Sequence, residues 1–379
     1  MNWRLLAIPA SVVPLIIMFL FTRVTPTEVF SVGVVPFIIS TASVMGRVML
    51  QAFRFQYFIR AFIGRNVSST GSIISARLAG EFVTQTTPSF IGGEVVRIAF
   101  LTKNGIPAGR AAWVTTMEII ADVLVGTMLA FVAGAVAIYN GGGFIGITVI
   151  LVAIPTLTFW LSLVILSAKR NLRLPIFIVK VLKKFISKEK AERIVNSTNI
   201  AIADLCKMSR ENFNSTHVVR IFVIGIGITF VAFVLQGISF MVLANAVGSN
   251  IGLFESLLAT SASTVVSTIP ITIGGSGLAE LGIWAYISNL SGIPSLKDLA
   301  RGSELNVIIA WRIASYHVPL LIMWVALMRM TMYKFSFKNK KLLSLSFVFD
   351  QKNNIRDTAS NIKKDDEGDV DKKSDEDNR

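Results

Sequence analysis

The sequence predicts an all-α, polytopic membrane protein of two inverted halves, each with a re-entrant helical hairpin broken at P-x-x-I-G-G. Three observations predict it. Hydrophobic residues make up 53% of the 379 positions and charged residues only 16%, a balance that fits a helical membrane protein rather than a soluble domain. The hydrophobic residues gather into runs of membrane-spanning length. One phrase occurs twice, 182 positions apart, as Pro88-Ser89-Phe90-Ile91-Gly92-Gly93 and Pro270-Ile271-Thr272-Ile273-Gly274-Gly275. Both copies interrupt apolar sequence, and a carboxylate follows each, Glu94 and Glu280. Helix breakers in lipid survive only where protein or a water-lined cavity satisfies the freed backbone groups. Two such breaks at matching positions of two halves point to the central site of a transporter.

Residues 5–22 form the first apolar span, read as a retained helix because no small-x-small cleavage site follows it. A second span covers 29–50. Residues 51–72 mix Arg54, Arg60 and Arg65 with Phe53, Phe55, Tyr57, Phe58 and Phe62, which suits an amphipathic segment at the membrane surface. Segments 73–87 and 94–102 flank the first P-x-x-I-G-G. At about 22 Å and about 14 Å they fall short of a hydrocarbon core of roughly 30 Å, so a re-entrant hairpin is expected.

Residues 111–139 make a long helix ended by Asn140-Gly141-Gly142-Gly143, and 144–167 make another span. Segment 168–217 is polar, with eleven Lys/Arg and periodic apolar positions, and reads as surface helices at the cytoplasmic face. The lone cysteine, Cys206, falls there in what reads as a basic loop, excluding an intramolecular disulfide and a cysteine-based metal cluster. Spans resume at 218–247, then 252–269 and 277–290 flank the second motif, and 304–330 is the last span. The membrane domain is thus 1–341, and 342–379 is a charged cytoplasmic tail expected to be disordered.

Orientation follows from the connections. Segments 51–77, 102–110, 168–217 and 331–341 together hold 21 Lys/Arg, whereas the opposite connections hold Arg23, Lys297 and Arg301. The positive-inside rule therefore puts both termini in the cytoplasm. The first hairpin then dips in from the cytoplasm and the second from outside, an inverted repeat. Residues 1–349 carry 30 basic against 13 acidic groups, which is orientation signal and attraction to anionic headgroups. Nucleic acid is excluded as a partner, because the basic residues flank apolar spans and no recognition module accompanies them.

Chemistry concentrates at few positions. A helix beginning near Glu94, after Gly92 and Gly93, would aim its N–H groups at the hairpin tip, where an anion such as a lipid phosphate is favoured. Arg97, one turn on, can pair with Glu94 or with that phosphate. Glu118 and Asp122, four apart, share a helix face inside an apolar span. They are counter-charges to arginines, proton carriers or cation ligands. Gly274-Gly275-Ser276-Gly277 can form a backbone nest for an anion, with Glu280 a turn further on. Arg312 in the last span is a buried cation in want of a partner, for which Glu280, Glu118 or a substrate phosphate could serve. No nucleophile triad, zinc pattern or nucleotide-binding motif occurs, so no cofactor is expected.

Thr87-Pro88-Ser89-Phe90-Ile91-Gly92-Gly93-Glu94-Val95-Val96-Arg97, then Met117-Glu118-Ile119-Ile120-Ala121-Asp122, then Pro270…Gly274-Gly275…Gly277…Glu280, then Trp311-Arg312 resemble, as an ordered set, the lysylphosphatidylglycerol synthase transmembrane-region family of flippase-like membrane proteins. The likeness covers about residues 5–330. It implies a membrane domain that binds or moves polar lipids. Two departures stand out. Ile119 occupies the place of the family's Arg after the motif Glu, and no soluble synthase domain follows residue 341, so lysine transfer to lipid is not expected.

The expected function is therefore translocation of anionic polar lipids or polyprenyl-phosphate-linked lipids across the cytoplasmic membrane, not catalysis. Membrane lipids are the expected partners, with a separately encoded lipid-modifying transferase as a further one. Two alternatives stay open: an intramembrane enzyme using Glu118 or Asp122 as general base, and an ion- or solute-coupled secondary transporter.

Overall fold

A computed structural model describes residues 31–64, 67–87, 92–185, 188–213, 215–269, 274–289 and 304–334, with positions 16, 27, 29 and 272. The expected span 5–22 (position 16 apart), Pro88–Ile91, Pro270, Ile271, Ile273, the connection 290–303 and the tail from 335 lie outside the described residues.

Every regular element among the described residues is helical. The first four are α1 (Val34–Ile63), α2 (Thr70–Gln85), α3 (Gly93–Lys103) and α4 (Ala108–Tyr139), followed by α5 (Gly143–Lys169), α6 (Ile176–Phe185) and α7 (Lys188–Phe213). Then come α8 (Thr216–Ala246), α9 (Leu253–Ser267), α10 (Leu278–Asn289) and α11 (Glu304–Arg312). A π-helical turn, Ile313–His317, carries α11 into α12 (Val318–Lys334). Among the described residues five helices are long and apolar enough to cross a membrane: α1, α4, α5, α8 and the run Leu305–Met330. The chain is a multi-pass membrane protein.

The motif repeat extends to the order of elements. A long helix, two short ones and a long one occur as α1–α4, at 30, 16, 11 and 32 residues. The order recurs from α8, at 31, 15 and 12 residues before the run 304–334. The leading helices of the two series start at Val34 and Thr216, 182 positions apart like the motifs. In each series the short helices pack on each other, α2 on α3 and α9 on α10, and α1 packs along α8. Gly80 and Gly93 bring α2 and α3 together, because a Cβ on Gly80 would lie 3.0 Å from the Gly93 carbonyl oxygen. In the second pair the Ser263 hydroxyl donates to the Ala279 carbonyl at 2.7 Å.

The surface segment expected at 51–72 is not there. Its first part belongs to α1, which runs unbroken to Ile63. The apolar stripe Val44, Val48, Ala52, Phe55 and Ile59 keeps a three- and four-residue spacing across the expected boundary. Beyond Gly46 no Gly or Pro occurs until Gly64, which takes a left-handed φ of 76° and donates its N–H to the Arg60 carbonyl. Arg54 is thereby carried into the interior. Cys206 likewise sits buried in helix α7, not in a loop.

Between α4 and α5 the packing depends on small residues, as expected where lipid gives no hydrophobic drive between helices. Ala130, Ala133 and Ala137 face Val149 and Ala153, and a Cβ on Gly134 would come 2.9 Å from the Gly146 carbonyl. The outward faces carry exposed Leu151, Ile154, Phe159, Val223 and Ile224, a surface suited to acyl chains. The described residues divide into two compact units, one within 31–171 and 204–334 and one within 172–203. The second contains α6 and the first part of α7, and within it Asn199 accepts the Leu174 N–H at 2.8 Å.

Candidate functional site

Glu118, fully buried on α4, has three arginines around its carboxylate. Arg54 Nη2 of α1 and Arg77 Nε of α2 lie 3.5 and 3.6 Å from its Oε1, and Arg97 Nε of α3 lies 3.4 Å from its Oε2. These separations exceed the roughly 2.7–2.9 Å of a charge-assisted hydrogen bond, and neither Glu118 oxygen has a hydrogen-bond partner. The carboxylate therefore acts mainly as a central negative charge.

Each arginine makes its tighter contact elsewhere. Arg54 grips Asp122 through both Nη atoms, at 2.6 and 2.9 Å, and its Nη1 also donates to Thr229 of α8. Arg77 donates to Glu81 at 2.5 Å and to Gln51 at 3.1 Å. Arg97 pairs with Glu94 at 3.3 Å. An isolated ion in such surroundings costs several kcal/mol, which the mutual pairing offsets. Four helices thus supply the charges of one polar knot in an apolar bundle, and α8 adds Thr229 to it.

The sequence reading singled out Glu94, Arg97, Glu118 and Asp122 here, and the structure brings all four together. It missed Arg47, Arg54, Arg77 and Glu81. The signal was present. Arg47, Gln51 and Arg54 repeat at four and three positions, and Arg77 and Glu81 are four apart, so each set shares one helix face. Part-buried Ile119 brings no positive charge to Glu118, and the arginines around it come from α1, α2 and α3 instead.

Glu280 and Arg312 form a second knot. Arg312 Nε lies 2.9 Å from Glu280 Oε1, and Arg312 Nη2 donates to the Gly274 carbonyl at 2.8 Å. Gly274, Gly275 and Gly277 all take positive φ, at 59°, 65° and 85°, a conformation costly for residues with a Cβ. At Gly274 a side chain would in addition meet the Gln85 carbonyl and the Tyr316 hydroxyl. Gly93 is needed for closeness instead, since a Cβ there would strike Thr84 Oγ1 and the Gly80 carbonyl.

The helix starts are occupied alike. Glu94 Oε2 accepts the Gly92 N–H at 2.8 Å, and Glu280 Oε2 accepts the Gly277 N–H at 2.8 Å. In each half a glutamate caps the second short helix and pairs with an arginine. A carboxylate thus stands where the sequence reading placed a phosphate. Tyr316 ties the two knots together. Its hydroxyl donates to the Gln85 carbonyl at 2.9 Å, and the Arg312 guanidinium lies over its ring at 4.1 Å. Among the described residues no group of three or more His, Cys, Asp or Glu is placed to hold a metal.

The family described as the lysylphosphatidylglycerol synthase TM region has a model that matches residues 6–322. No curated protein matches the chain.

Proposed function

The chain belongs to the lysylphosphatidylglycerol synthase TM-region family, and we propose that it binds and translocates anionic polar lipids or polyprenyl-phosphate-linked lipids across the cytoplasmic membrane. The observation that carries this reading is the pair of buried arginine–carboxylate knots at the starts of α3 and α10. Ionisable groups in an apolar bundle are expensive, and a substrate or ion pathway is the default reading of them. Arginine binds phosphate through the same two-donor geometry that it uses for a carboxylate. Glu94 and Glu280 then stand in for the lipid phosphate on Arg97 and Arg312 while no lipid is bound. Their side chains keep 26% and 18% exposure, which leaves them room to withdraw.

The two element series would take turns as the mobile half, the short pair of one entering from the cytoplasm and that of the other from outside, with both termini inside. Among the described residues, Arg54 and Arg77 leave the count of 21 loop charges because they are paired in the interior, and the charge bias behind this orientation survives their removal. In vesicles, Arg97→Ala and Arg312→Ala should each slow translocation of a headgroup-labelled anionic lipid at least tenfold. Normal rates in both variants would sink the assignment of these arginines. A separately encoded lipid-modifying transferase is the protein partner that fits this role, and co-purification tests it.

One observation favours a second reading, an ion- or solute-coupled transporter. Asp122, a carboxylate deep in α4, keeps 32% exposure of its side chain while gripped by Arg54, an arrangement suited to exchanging a bound ion. Solute counterflow into vesicles, with competition by candidate substrates, separates this from lipid transport.

A further inference from the structure

On the same helix stripe as the polar knot around Glu118 lies one arginine that its carboxylates do not engage. Arg54, Arg77 and Arg97 each have at least one carboxylate within 4.0 Å, whereas Arg47 has none among the described residues. Arg47 lies on the α1 stripe of Gln51 and Arg54, and its Nε is buried without a hydrogen-bond partner. None of its N–H groups donates to another described residue. Its guanidinium carbon sits 5.8 Å from the centre of the Phe233 ring on α8, and Glu81 and Asp122 are the carboxylates whose charge reaches it. Arg47 as a whole is only half-buried, so the buried Nε is left unpaired and a cation–π contact of about 0.5–2 kcal/mol is all that holds the guanidinium. The structure holds a guanidinium in place and leaves its donors unspent.

We propose that Arg47 is the residue that first receives the phosphate of the transported lipid, binding a phosphodiester monoanion through its planar fork. This rests on the lipid-translocation reading and deepens it. Three arginines are already committed to carboxylates, so an incoming anion meets least competition at Arg47. The planar fork matches two phosphate oxygens, which a lysine ammonium does not. Seven residues on, about 10 Å along α1, Arg54 leads into the knot of Glu118. Asp122 and Glu81 are themselves held by Arg54 and Arg77, so their charge is largely compensated as an anion arrives. The same chemistry would admit free phosphate, so the test separates the two sources.

The experiment measures binding to the full-length chain in neutral detergent. The probes are short-chain phosphatidylglycerol, short-chain phosphatidylcholine and inorganic phosphate, with Arg47→Gln, Arg47→Lys and the exposed-site control Arg60→Gln. The proposal expects at least tenfold weaker phosphatidylglycerol binding in Arg47→Gln, several-fold weaker binding in Arg47→Lys, and wild-type affinity in Arg60→Gln. If inorganic phosphate binds as tightly as the lipid and with the same Arg47 dependence, the site is one for free phosphate and the lipid assignment is overturned. Unchanged lipid affinity in both Arg47 variants overturns the proposal outright. Should Arg47→Gln not fold, Arg47→Lys, which keeps the charge, decides alone: wild-type affinity there rejects the fork. Vesicle translocation by the wild type is scored separately. Translocation with Arg47-independent binding defeats this proposal and spares the lipid reading, whereas Arg47-dependent binding without translocation does the reverse.

Discussion

The Tyr316 hydroxyl reaches 231 positions back along the chain to the Gln85 carbonyl, at 2.9 Å. That hydrogen bond joins the π-helical turn beside Arg312 to the last residue of α2, just before the first Gly-Gly. A backbone carbonyl freed by the break after α2 would otherwise be unsatisfied in an apolar setting. π-helical turns recur at functional sites, and this one points a tyrosine at the opposite half's broken helix. Tyr316→Phe should lower stability by about 1 kcal/mol, the net worth of one such bond, read from thermal unfolding in detergent. An unchanged midpoint would mean that the two halves do not depend on this contact.

Glu118 should be the most sensitive carboxylate in the protein. Removing one partner of a buried ion pair costs about 3–5 kcal/mol, and here three arginines share one acid. Glu118→Gln is expected to cost that much, compared with less than about 0.5 kcal/mol for Arg60→Gln on the exposed end of α1. Denaturant unfolding of the two purified variants checks it. Equal stabilities would show that the arginines are compensated without Glu118.

The glycines separate by cause. Gly93→Ala should cost about 1–3 kcal/mol by overpacking, and adding Thr84→Ala should restore only part of it, because the Gly80 carbonyl remains in the way. Gly227→Ala on α8 has nothing within 4 Å of the added carbon and should be neutral or stabilise by up to about 1 kcal/mol through helix propensity. Thermal midpoints of the three variants give the comparison.

Accessibility should differ between the two halves. In a Cys206→Ala background, a cysteine replacing Ser89 is expected to react with a membrane-impermeant thiol reagent from the cytoplasmic side, and one replacing Ser276 from the outer side. Labelling of both from one side only would refute the inverted arrangement while leaving the charge knots intact.

Much of this was legible in the sequence. The helix breaks announce themselves through Pro and Gly-Gly, and the four-residue spacing of Glu118 and Asp122 places both on one face. The arginines that face them were not legible in the same way. Arg54 sits where an apolar span gives way to basic and aromatic residues, a local pattern shared by interfacial segments and by helices that simply continue. What decides between them is a partner 68 positions away, Asp122, and no local periodicity encodes that distance. Arg97 and Arg312 were recognised as cations in want of a counter-charge. Glu94 and Glu280 were among the candidate counter-charges, but that each also caps its own helix emerges only when the helix starts are seen in three dimensions.

The central claim is that these knots move anionic lipids, and the most direct measurement is leaflet exchange of headgroup-labelled phosphatidylglycerol in vesicles containing the purified wild-type chain. The account expects labelled lipid to cross at least tenfold faster than in protein-free vesicles, and faster than labelled phosphatidylcholine in the same preparation. Exchange no faster than in protein-free vesicles would contradict it.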